Sequence, residues 1–117
     1  MWSIHLRITN RSQFKRFRKR YPREFSTCFQ NLERLRGYLN AIDALQHPKF
    51  GFLRSEGEGL FRIRNESFPG SKESRLYIYL YFRAEQIVVL GFGTKETQPQ
   101  DIRACKQAIK ETNWSKE

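Results

Sequence analysis

Arg62 and Arg64 alternate with Phe61 and Ile63 in the stretch GLFRIR. Tyr77, Tyr79 and Tyr81 alternate with Leu76, Ile78 and Leu80 a little further on. Lys95 follows an apolar run that begins at Ile87. Period-two alternation sends each polar set to one side of a strand. A guanidinium is a planar fork that binds two phosphoryl oxygens at once. A tyrosine ring offers a face to an unpaired base. Cations and rings gathered on one side of a small sheet suit a surface that grips RNA and cuts it.

The rest of the chain must position them. Trp2, Ile4, Leu6 and Ile8 alternate with polar residues, which predicts a half-buried strand. Ser12 is placed to cap a short helix with Phe14, Phe17 and Tyr21 on one face. The other face of that helix carries Lys15, Arg16, Arg18, Lys19 and Arg20. Pro22 ends it and can start the next helix. From Phe25 to Leu45 apolar residues recur at three–four spacing, and Pro48 closes the second helix. The stretch from Lys49 to Gly59, rich in glycine and charge, reads as a loop. Leu60 to Arg64 then forms a strand, and Asn65 to Ser74 a long hairpin loop with a Pro69-Gly70 turn. Leu76 to Phe82 is the next strand. Ile87 to Leu90, apolar throughout, suits a central strand. Thr97 and Gln100 have capping-box spacing ahead of a final helix with Ile102, Cys105 and Ile109 inward. Asn113 to Glu117 fray, with Trp114 tucked back onto the body.

This order predicts one α+β domain over residues 1–117. Helices pack on a small, mainly antiparallel twisted sheet, with a helical hairpin near the N-terminus and a helix at the C-terminus. A chain of this length buries a real core without metal or disulfide. Cys28 and Cys105 fall on apolar helix faces and make no zinc spacing, so both read as buried free thiols. No cofactor or metal is expected. With no apolar leader and no membrane-length segment, the expected location is the cytoplasm.

Charge points to a polyanionic partner. The chain has 22 Lys+Arg against 12 Asp+Glu, a net charge of +10. Residues 1–36 alone hold ten of the basic and two of the acidic side chains. Such an imbalance fits nucleic acid better than a small neutral substrate. Lys15–Lys19 and Arg16–Arg20 are like-charge pairs one helical turn apart and cost helix stability. A phosphate-lined partner relieves that cost, so Lys15, Arg16, Lys19 and Arg20 are candidate contacts to RNA or the ribosome.

The element order and three segments together resemble the RelE/ParE superfamily of bacterial toxins, in particular its phage-derived HigB-like branch. Leu60-Phe61-Arg62-Ile63-Arg64 is similar to that branch's Leu-Trp-Glu-Leu-Arg. Tyr81-Phe82-Arg83 through Leu90-Gly91-Phe92 is similar to its Tyr-Phe, charged turn and apolar strand. Thr94-Lys95-Glu96-Thr97-Gln98-Pro99 resembles its Lys-Lys-x-Thr-Gln stretch. The resemblance implies a RelE-like fold and the toxin of a type II toxin–antitoxin system, monomeric by itself and silenced by a helix-turn-helix antitoxin. It implies a metal-independent endoribonuclease that cleaves messenger RNA on the ribosome. The ribose 2′-hydroxyl attacks the adjacent phosphate and leaves a cyclic phosphate and a 5′-hydroxyl.

Carried over by position, Arg64 takes the place of the phosphate-stabilising arginine and Lys95 that of the basic residue in the turn. Tyr79 is the tyrosine assigned to the groove, while Tyr77 and Tyr81 pack. Arg62, Lys49 and Arg54 are candidate RNA contacts. Histidine is the side-chain type suited to proton exchange near neutrality, which makes His47 a candidate base, although beside Pro48 it also reads as a solvated loop residue. The chain has Ile78 where many relatives carry arginine, Thr94 for the first lysine of the pair, and no tyrosine after Tyr81. The general acid and base therefore stay unassigned. Two other functions fit the residues: a gyrase inhibitor of the ParE type, and a non-catalytic nucleic-acid-binding module.

Overall fold

The computed structural model describes residues 1–41 and 50–114. Strand β1 (Ser3–Leu6) leads into helices α1 (Arg11–Arg20) and α2 (Pro22–Ala41). Strands β2 (Leu53–Gly57), β3 (Leu60–Arg64), β4 (Ser74–Tyr81) and β5 (Gln86–Thr94) follow, and helix α3 (Gln98–Glu111) comes last. The strands form one sheet in the order β1-β5-β4-β3-β2. β1 runs parallel to β5, and the other neighbouring pairs are antiparallel, so the sheet is mixed. His47 and Lys49 lie outside the described residues.

The α+β class stands, with one correction. β2 occupies part of the stretch expected to be a loop. Its residues, LRSEG, carry no apolar alternation because β2 is an edge strand with little to bury. Its hairpin to β3 turns through Gly57, Glu58 and Gly59, all with positive φ. A Cβ at Gly59 would come within 2.7 Å of the Tyr79 ring, so the turn requires glycine there. β1 precedes the two helices, as the alternation from Trp2 to Ile8 predicts, so the helical pair does not open the fold.

Alternation along the strands splits the apolar residues between two layers. Ile63, Leu76, Ile78, Leu80, Ile87, Val89 and Phe92 face α1 and α2, where Phe14, Phe17, Cys28, Leu32, Leu35 and Leu39 meet them. Leu60, Tyr77, Val88 and Leu90 face α3, where Cys105, Ile102 and Ile109 cover them. Both cysteines are buried free thiols. Burial pushes each thiol up to about 12. Among the described residues no helix is long and apolar enough to cross a membrane.

Helix ends depart from the sequence reading. Asn10, not Ser12, caps α1, its side-chain oxygen accepting from Gln13 N at 3.1 Å. Thr97 precedes α3 but makes no capping bond, because its hydroxyl is taken elsewhere. It donates to Asp101 Oδ2 at 2.7 Å and accepts from Thr94 N at 3.0 Å. Gln13 Nε2 holds the other Asp101 oxygen at 2.9 Å, which ties α1 to α3. Burial nevertheless raises the Asp101 carboxyl above its ordinary value, against the lowering effect of these two hydrogen bonds. The Pro69-Gly70 turn forms as expected, with Ser71 N donating to the Phe68 carbonyl at 2.9 Å.

Candidate nucleic-acid interface

Register brings four arginines onto one patch of the sheet. Arg54 on β2 pairs with Arg62 on β3, and Arg64 on β3 pairs with Arg75 on β4. Paired positions lie roughly 5 Å apart at Cα, close enough for long side chains to share one ligand. Arg62 and Arg64 alternate with Phe61 and Ile63, which pack toward α2, so the two guanidiniums leave the sheet on the opposite side. All four arginines line one cleft of about 550 Å³. Its remaining wall is mostly polar and comes largely from the loop after β3, through Asn65, Glu66, Ser67 and Ser71, with Gly51 and Phe52 also lining it.

That loop is anchored at several points. Asn31, buried in α2, donates to the Arg64 carbonyl at 3.0 Å and holds the end of β3. Asn65 Oδ1 accepts from Ser74 N at 2.9 Å, closing the loop across its mouth. Buried Glu24 accepts from Lys72 N at 2.8 Å and fixes the far side. A cleft held by such bonds is formed before any ligand arrives, which lowers the ordering cost of binding.

The charge in the cleft is unevenly compensated. Arg62 is engaged: its Nε lies 3.3 Å from Glu56, and it donates to Gln98 Oε1 on α3 at 2.6 Å. The cleft carboxylates Glu66 and Glu73 have cations of their own, Arg34 at 3.8 Å and Lys95 at 3.9 Å. Among the described residues no acidic group pairs with Arg54, Arg64 or Arg75. Arg75 Nε is buried without a hydrogen-bond partner. Unpaired donors of this kind in a polar cleft suit an anion with several acceptor oxygens.

The expected site residues are brought together only in part. Arg54, Arg62 and Arg64 share the cleft. Lys95 lies just beyond β5 at its rim: its backbone N donates to the Glu73 carbonyl at 3.3 Å, and its side chain is largely exposed. Tyr79 is not in the cleft. Four residues along β4 from Arg75, it sits roughly 14 Å away. Its ring packs instead against Trp114 at 4.7 Å and Tyr81 at 6.3 Å. Burial, then the neighbouring Tyr81, raises its hydroxyl above the ordinary value. Tyr77 is fully buried against α3. Trp114 tucks back as expected, its indole N–H donating to the Ile109 carbonyl at 3.0 Å. Lys15, Arg16, Lys19 and Arg20 belong to α1, on the other face of the sheet from α3.

Arg75 was missed in the sequence reading. Its signal was present: it stands two residues before Tyr77, on the same side of β4. The register with Arg64 gives that position meaning, and register is a tertiary property.

The chain matches no protein-family model, no curated protein and no solved structure.

Proposed function

We propose that this protein has a RelE-like fold and is a metal-independent endoribonuclease that cuts messenger RNA on the ribosome. In this reading it is the toxin of a type II toxin–antitoxin pair, a monomer held inactive by a helix-turn-helix antitoxin. The observation that carries the proposal is the cleft: four guanidiniums on adjacent strands, three without an acidic partner among the described residues, beside two carboxylates and a rim lysine. The sequence resemblance of the segments around Arg64 and Lys95 supplies the reaction type.

The chemistry needs a base, phosphoryl stabilisation and a proton for the leaving oxygen. A carboxylate in the cleft, Glu66 or Glu73, takes the 2′-hydroxyl proton. The 2′-oxygen bonds to phosphorus as the bond from phosphorus to the 5′-oxygen breaks. Arg64, with Arg75 opposite it, meets the charge that builds on the non-bridging oxygens. The Lys95 ammonium stabilises or protonates the departing 5′-oxygen. Tyr79 has no part in this step, since it lies outside the cleft.

Induction in cells, followed by mapping of RNA ends, tests the proposal. Growth and translation should stop, with messages broken at defined positions bearing 5′-hydroxyl ends, and cleavage should survive a chelator. Arg64→Ala should reduce cleavage by about a hundredfold or more, the scale of one lost contact to a developing oxyanion. Unchanged cleavage in that variant removes the site assignment. Arrest with intact messages and trapped gyrase–DNA complexes would instead select the gyrase inhibitor. A second reading, non-catalytic RNA binding, draws on Tyr79 lying away from the arginines and Arg62 being held by Glu56 and Gln98. Salt-dependent RNA binding without cleavage or toxicity would establish it.

A further inference from the structure

A second cationic feature lies on α1. The sequence of α1, RSQFKRFRKR, has six cations and no acidic residue. None of these cations has an ion-pair partner among the described residues. Three are drawn onto neighbouring rings: Arg16 over Phe17 at 5.1 Å, Arg18 over Phe25 at 5.5 Å and Arg20 over Tyr21 at 5.4 Å. Lys15 and Lys19, one turn apart, are exposed and repel each other. Between them and the start of α2 runs a groove of about 590 Å³, lined by Phe14, Lys15, Arg18, Lys19 and Pro22. Its floor is apolar and its rim is positive.

We infer that this groove docks an acidic protein segment carrying an apolar anchor residue. Charge complementarity sets the sign of the partner, and the apolar floor sets its class. A phosphodiester backbone would satisfy the rim but leave the floor empty. Base stacking needs an open ring face, and Phe14 is only 9% exposed, its ring edge-on to Phe25 at 5.5 Å. The arginine cleft opens on the other face of the sheet, so α1 does not extend one straight RNA track. An amphipathic helix with leucine toward Phe14 and Pro22, and glutamates one turn apart over Lys15 and Lys19, satisfies both floor and rim. It also relieves the repulsion between the two lysines. The inference is independent of the reading of the cleft.

Fluorescence anisotropy on the full chain tests it with three labelled probes. The first is a short helical peptide of glutamate and leucine in that spacing. The second is the same peptide with serine for leucine, and the third is oligouridine. The first peptide should bind saturably. Its affinity should fall about tenfold or more in Lys15→Glu/Lys19→Glu and persist in Lys15→Arg/Lys19→Arg, a change read directly as a ratio of Kd values. The serine peptide should bind about tenfold or more weakly. Oligouridine affinity should be the same in both variants. Circular dichroism checks that each variant is folded, since all the substitutions are at exposed positions. The inference is overturned if the leucine peptide fails to bind or the charge reversal leaves its affinity unchanged. Equal binding of the serine peptide, or a reversal that weakens oligouridine alone, also overturns it, the last outcome making α1 an RNA surface.

Discussion

Arg75 lies across the sheet from Arg64 and keeps its Nε buried without a partner. A buried donor left unsatisfied costs stability, while an apolar side chain of similar reach does not carry that cost. Here that donor belongs to a side chain lining a cleft with two further arginines that lack an acidic partner among the described residues, a setting in which stability is commonly given up for binding. Arg75→Met should therefore leave the melting temperature unchanged or raise it, while RNA affinity falls about tenfold. Thermal melts beside filter binding check both halves. A variant that loses stability and keeps RNA affinity would make Arg75 a structural residue. Arg62 presents the contrasting case. Held by Glu56 and Gln98, it links β2 to α3 and shapes the cleft wall more than it waits for an anion.

At the scale of elements, the approach of α3 to β5 depends on Gly93. A Cβ there would strike the Asp101 carboxylate and stand 2.5 Å from Thr97 Oγ1. Those two side chains form the hydrogen-bonded network that seats the start of α3 and reaches Gln13 on α1. Gly93→Ala should cost about 1–3 kcal/mol, the usual penalty of overpacking. Denaturant titration measures the loss, and an unchanged midpoint would mean that α3 shifts freely. The same displacement moves Gln98 away from Arg62, so the variant's RNA affinity should also drop. This element was legible in part. The apolar spacing of Ile102, Cys105 and Ile109 predicted the helix, and Thr97 was correctly placed at its start. The expected capping box did not form, because a half-buried carboxylate one turn along competes for the same hydroxyl.

For the whole molecule, two positive regions face opposite ways, the cleft on the α3 side and the groove on α1. The net charge of +10 alone predicts long-range attraction of any polyanion, screened within about 10 Å at 0.1 M salt. Specific binding in the cleft should have a smaller, countable salt dependence. With Arg64 and Arg75 sharing one phosphate and Arg54 neutralising another, the logarithm of affinity for single-stranded RNA should fall with that of salt with a slope of roughly −1.4. Arg54→Ala, or Arg64 and Arg75 replaced together by alanine, should reduce the slope by about 0.7, and charge reversal of Lys15 and Lys19 should leave it alone. Binding isotherms across a salt series decide this. A slope that responds to α1 but not to the cleft would relocate the RNA site.

Local pattern was enough to read most elements. Phe61 and Ile63, the β4 tyrosines and the three–four spacing of α2 are periodic because one side of each element is buried, so burial was written in the order of residues. β2 escaped because an edge strand buries too little to leave that trace. Arg64 was recognisable from its strand, as was its orientation away from Phe61 and Ile63. That Arg75 faces it, that Tyr79 stands apart under Trp114, and that α1 turns its cations to the far side follow from strand register and layer packing. Those relations join residues distant along the chain, and only the folded sheet brings them within reach of one ligand.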